Sequence, residues 1–173
     1  MLDDERIKEA ELNVRLYISD GLLKKEVFDK NIYFIFYKNA HDSLDIAQFL
    51  LENNKSDLWI IVTSYYAMFY IANAVLYKLG YKVGEKIAHK VTADALVVFV
   101  RNKLRKSLLE EYQKAQEEAL AGIKADSLIK TFDLEREKRS EVQYQMKEFE
   151  LHGRAKTSLN RAKEFLLEME KLL

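Results

Sequence analysis

A chain of 173 residues suits a single domain, 1–173, able to bury roughly 70% of the surface its unfolded form exposes. Lys plus Arg and Asp plus Glu balance at 28 each, so no global positive field gathers phosphate backbones and any nucleic-acid site must be local. Cysteine is absent, which excludes disulfides and thiolate metal ligands and points to a reducing, cytoplasmic home.

With no proline and five glycines, the sequence lacks most helix breakers, and no run alternates with the two-residue period of a half-buried strand. The expected class is all-α. The opening MLDDERIKEAE is acidic where a secretory leader would be basic and then apolar. Ile7, Ala10, Val14 and Tyr17 recur at helical spacing, which predicts a first helix of about six turns ending near Lys24 and Lys25. A second helix follows from Ile32 to Glu52 and is closed by Asn53 and Asn54.

Ser56 or Asp57 can cap a third helix, Leu58 to Leu79, which Gly80 stops. Thr63, Ser64, Asn73, Lys78 and several tyrosines make it a poor lipid-facing span, so a buried core helix is expected and no membrane partner. It is apolar nearly all round. One stripe (Ile61, Tyr65, Met68, Ala72, Val75, Leu79) is ordinary core, while Trp59, Tyr66, Tyr70 and Tyr77 define a second face, read as a dimer interface in preference to a base-stacking platform.

A polar connector from Tyr81 to Lys90 holds Gly84 and His89, and a fourth helix is expected from near Thr92, with helical periodicity over Ala95 to Leu109 and either one long helix or two shorter ones through Ser107 to Lys130. Beyond it the chain is expected to break around Ala121 to Ala125, resume as a helix over Leu128 to Tyr144, and break again at His152 and Gly153. The last helix carries a clean stripe of Ala155, Leu159, Ala162, Leu166, Met169 and Leu173.

The string SYYAMFYIANAVLYKLG, Ser64 to Gly80, resembles the central helix of HEPN domains (higher eukaryote and prokaryote nucleotide-binding). Ala88 to Lys90 is similar to the Ser-His-Lys that opens the family's next helix, and Arg139, Ser140 and Tyr144 resemble its later Arg-Asn-x-Ala-Asp-Tyr motif. Ala155, Ala162 and Phe165 fall at its small and aromatic core positions. The likeness spans about Tyr37 to Leu173 and leaves residues 1–30, an extra N-terminal helix, and the Ser107 to Lys130 stretch as additions. It implies an up-and-down bundle of five to six helices, usually a homodimer, often partnered by a minimal nucleotidyltransferase. Many active relatives are metal-independent ribonucleases of toxin–antitoxin or defence systems.

In those ribonucleases an arginine, an adjacent polar residue and, after a gap of four to six residues, a histidine meet a second copy across the dimer. Histidine suits proton abstraction from a 2′-hydroxyl, and arginine suits the charge-rich phosphate of the transition state. Arg139 and Ser140 take the first two places, with Arg139 as phosphate ligand and Ser140 as hydrogen-bond donor. Tyr144 stands where the histidine is wanted, and a phenol with a pKa of about 10 is a poor base although it can bind phosphate. The motif is therefore a degenerate ribonuclease site, and binding of RNA, a nucleotide or a protein partner is expected ahead of cleavage.

Two alternatives stay open, an active ribonuclease toxin and a non-catalytic helical scaffold, and Arg139 has a plain use as the surface partner of a nearby glutamate. His89 is a further catalytic candidate, weighed against a capping or packing role. The three histidines are far apart and form no His-x-x-x-His pair, so neither a metal nor a cofactor is expected.

Overall fold

The computed structural model describes the backbone of residues 2–132 and 141–173, and side chains over 2–124 and 150–173. The chain is an all-α bundle. Its elements run α1 (Asp4–Ser19), β1 (Leu23–Lys25), α2 (Lys30–Glu52), α3 (Asp57–Lys78), β2 (Tyr81–Val83), α4 (Ala88–Phe99), a 3-10 turn at Arg101–Lys103, α5 (Lys106–Phe132) and α6 (Glu141–Glu170).

Local chemistry sets several of these boundaries. Asp3, Asp29 and Ser56 each accept a backbone N–H of the helix they precede, satisfying one of its orphan donors. Asn54 at φ 47° and Gly80 at φ 88° turn the chain left-handed after α2 and α3.

Alpha3 forms the axis, with α2 and α6 packed along it and α5 against a third side. Fourteen of its residues are buried, so a helix that is long and apolar enough to cross a membrane is here covered mostly by its own chain. Ala40 and Ala47 on α2 and Ala155 and Ala162 on α6 are fully buried. Small residues at these positions let neighbouring backbones approach α3 closely, while Leu159, Phe165 and Met169 fill the remaining volume. One continuous apolar cluster runs from Leu2 on the N-terminal side to Met169.

The first helix is shorter than its periodicity predicts. It ends at Ser19, Gly21 takes φ 69°, and Lys24 and Lys25 lie in β1 instead of the last helical turn. The cause is tertiary: β1 pairs antiparallel with β2, Leu23 opposite Val83 and Lys25 opposite Tyr81, and Leu23 is buried by the pairing. Alpha1 then lies on α4, where the carboxylate of Asp94, wholly buried, accepts hydrogen bonds from Arg6, from Asn13 Nδ2 at 3.0 Å and from the Tyr17 hydroxyl at 2.9 Å.

Other boundaries differ from expectation too, the first being that the period expected to run on through Leu109 is broken by the 3-10 turn at Arg101–Lys103, so α4 ends at Phe99 and α5 starts at Lys106. Alpha4 begins at Ala88, so His89 belongs to its first turn. Alpha5 continues through Gly122, because that glycine lies against α3: a Cβ there would come within 2.6 Å of Leu58 Cδ1. Alpha6 continues through His152 and Gly153, the histidine bonding Asp57 at the start of α3 instead of marking a turn.

Candidate functional site

His89 is held by a bed of aromatic rings from α3. Its Nδ1 lies 2.7 Å from the Tyr65 hydroxyl, and its ring centroid is 4.6 Å from Phe69, 5.5 Å from Tyr65 and 5.9 Å from Tyr66. Tyr65 and Phe69 stand one helical turn apart on α3, so both present their rings to the first turn of α4. Tyr65 in turn packs on Tyr112 of α5, which meets Phe165 of α6 at 5.4 Å. A chain of rings therefore links His89 to the centre of the bundle.

Burial sets the electrostatics of this cluster. Removal from water holds His89 below the usual histidine value, favouring the neutral imidazole. The same effect raises the phenols of Tyr65 and Tyr112, which stay protonated. The ring of His89 is half-buried, and the neighbouring Tyr66, Phe69 and Tyr70 share that partial exposure. A neutral imidazole at an aromatic surface can accept a proton or a hydrogen bond, and the flat rings beside it can pack on a planar group.

The expected dimer face divides in two. Trp59 is 51% exposed, and the half-buried rings of Tyr66 and Tyr70 meet at a tilt with centroids 6.0 Å apart. Tyr77 does not belong with them. It is 1% exposed, its hydroxyl donates to the Val27 carbonyl at 3.2 Å and accepts from the Asp29 amide at 3.1 Å, and it packs on Phe28 and Phe36. Its hydroxyl is spent fastening the segment that enters α2, an internal use that spacing along α3 does not show.

Arg139 and Ser140 lie outside the described residues, as does the side chain of Tyr144, whose backbone belongs to the start of α6. The other two histidines are engaged within the fold: His41 Nε2 is 2.9 Å from Glu170 Oε1, and His152 Nδ1 is 2.9 Å from Asp57 Oδ1. Among the described residues no group of His, Asp and Glu has the arrangement of a metal site. Sequence reading named His89 but missed its partners, since Tyr65 falls on the core stripe; the signal was the i, i+4 pair of Tyr65 and Phe69.

This core of α2 to α6 around an aromatic α3 is the part of the chain that matches a known family. A family model described as HEPN domain matches residues 35–172. The chain belongs to the HEPN family. No curated protein and no solved structure matches it. The HEPN match takes in α4 and the Arg139 to Tyr144 segment and leaves out α1 and β1.

Proposed function

We propose that this HEPN domain binds a phosphate-bearing ligand, RNA or a nucleotide, through the Arg139 segment and is a poor ribonuclease, acting as a cytoplasmic homodimer in a toxin–antitoxin or defence setting beside a nucleotidyltransferase partner. Arg139 serves as phosphate ligand, with Ser140 and Tyr144 as hydrogen-bond donors. The observation that carries the reading is the use made of the chain's three histidines. His41 is paired with Glu170, His152 with Asp57 and His89 with Tyr65, while the position five residues after Arg139 holds a phenol. A general base next to the arginine is thus missing from the motif, whereas its anion-binding half is present.

Titration of ATP and of a short single-stranded RNA against the wild-type protein and Arg139→Ala tests this. Weakening of either ligand by about tenfold or more in the variant is expected for loss of a charge-assisted contact. Equal affinities would remove Arg139 from the site.

One observation favours the second reading, an active metal-independent ribonuclease. Neutral, half-buried His89 is a base in its working protonation state. RNA cleavage in chelator that disappears in His89→Gln would support it, and intact RNA after prolonged incubation with concentrated wild-type protein would end it. The scaffold reading draws instead on the exposed ring of Trp59 and the half-buried rings of Tyr66 and Tyr70.

A further inference from the structure

Two glycines lie inside helices, and among the described residues only one has an internal reason. Gly122 is pressed against Leu58, but a Cβ on Gly153 would meet nothing within 4 Å. A helix-interior glycine is less stable than alanine, so the bare backbone at Gly153 gains nothing from packing against the described residues. That backbone opens onto a cleft of about 680 Å³ between α5 and α6.

The cleft is charged on both walls. Lys114 and Glu118 project from α5, and Glu150, Arg154 and Arg161 from α6. Glu118 is taken by Arg161 at 3.1 Å, which among the described residues leaves Lys114 and Arg154 facing one further acid, Glu150. Among the described residues neither Lys114 nor Arg154 forms an ion pair. Two cations from opposite walls, beside an uncovered stretch of helix backbone, suit a phosphate anion better than a neutral or cationic ligand.

We infer that the α5–α6 cleft is a phosphate-binding subsite, in which Lys114 and Arg154 hold the phosphate and Gly153 lets the ligand lie against the helix. The inference rests on the reading that this domain binds a phosphate-bearing ligand, and it adds a second contact point that does not involve Arg139. Lys114, Gly153 and Arg154 are all exposed, so substitutions there leave the core intact.

The test uses the full-length chain as wild type, Lys114→Gln/Arg154→Gln, Gly153→Ala and Arg139→Ala, with a short single-stranded RNA and ATP as probes over a range of salt. The double variant should weaken RNA at least about tenfold and flatten the salt dependence by about one to two units of slope. Gly153→Ala should raise the melting temperature while lowering affinity, which separates ligand approach from folding.

Loss for RNA and ATP alike supports recognition of the phosphate itself; loss for RNA alone supports a subsite for the polynucleotide backbone. Unchanged affinity in the double variant, with binding lost in Arg139→Ala, overturns the subsite and leaves the first reading standing. Binding lost in the double variant but retained in Arg139→Ala keeps the subsite and removes Arg139. Failure of the wild type to bind either probe overturns both. Dissociation of a dimer by the double variant, with phosphate binding untouched, makes the cleft a protein interface and also overturns the proposal.

Discussion

Removing the guanidinium of Arg6 should expose how the N-terminal helix is fastened to the family core. Asp94 is wholly buried, and its carboxylate depends on one cation, Arg6, whose own side chain is 20% exposed, plus the neutral donors Asn13 and Tyr17. Truncation of one partner of a buried pair costs roughly 3–5 kcal/mol because the other charge is left without compensation. The partial exposure of Arg6 admits water and puts the expected cost of Arg6→Ala near the lower end, about 3 kcal/mol. For a chain of this size that corresponds to a Tm lower by about 6–12 °C.

The control is the same substitution in an Asp94→Asn background. A neutral amide needs no cation, so Arg6→Ala should then cost about 1 kcal/mol, leaving a coupling of about 2 kcal/mol in the double-mutant cycle. Urea unfolding of the four proteins, with midpoints and slopes compared, measures it. Equal costs of Arg6→Ala in the two backgrounds would refute the reasoning, since the loss would then come from the packing of the arginine stem and not from the buried charge.

Two further predictions concern the site and the helix glycines. Because burial lowers the His89 pKa from its ordinary 6.5, the unfolded chain binds this proton more readily than the folded one, so the contribution of His89 to stability is complete above 6.5 and is lost as pH falls through the lower folded value. Stability measured from pH 7.5 down to 5.5 should therefore decline more steeply in wild type than in His89→Gln, and parallel profiles would show that the ring is not desolvated. Gly153→Ala should stabilise by about 1 kcal/mol from helix propensity alone. Gly122→Ala should gain less or lose stability because its methyl displaces Leu58, and thermal melts showing equal gains at both sites would remove the close contact assigned to Gly122.

Capping residues, left-handed stops and the apolar periodicity of α2, α3 and α6 act within one or two turns, so Ser56, Asn54, Gly80 and the Ala155 to Met169 stripe are readable from the sequence itself. The all-α class follows from the same short-range terms. Contacts between distant segments decided the rest. Three-residue strands have no period to detect, and β1 exists because β2, some 58 residues on, supplies its ladder. A glycine inside a helical pattern reads as a break until the structure shows Leu58 against Gly122.

The candidate site divides in the same way. His89 is visible as a lone histidine after a polar connector, but whether it is solvated or desolvated depends on Tyr65, 24 residues away, and on Phe69. Tyr77 shares a helical face with Tyr66 and Tyr70 by spacing, yet the segment that enters α2 folds over it and withdraws it from any surface. Sequence alone determined the all-α class, where the capped helices α2 and α3 begin and which family they compose, because those properties are set by neighbours along the chain. Only the tertiary structure decided which aromatic and charged groups lose water, because desolvation is imposed by segments that meet only after folding.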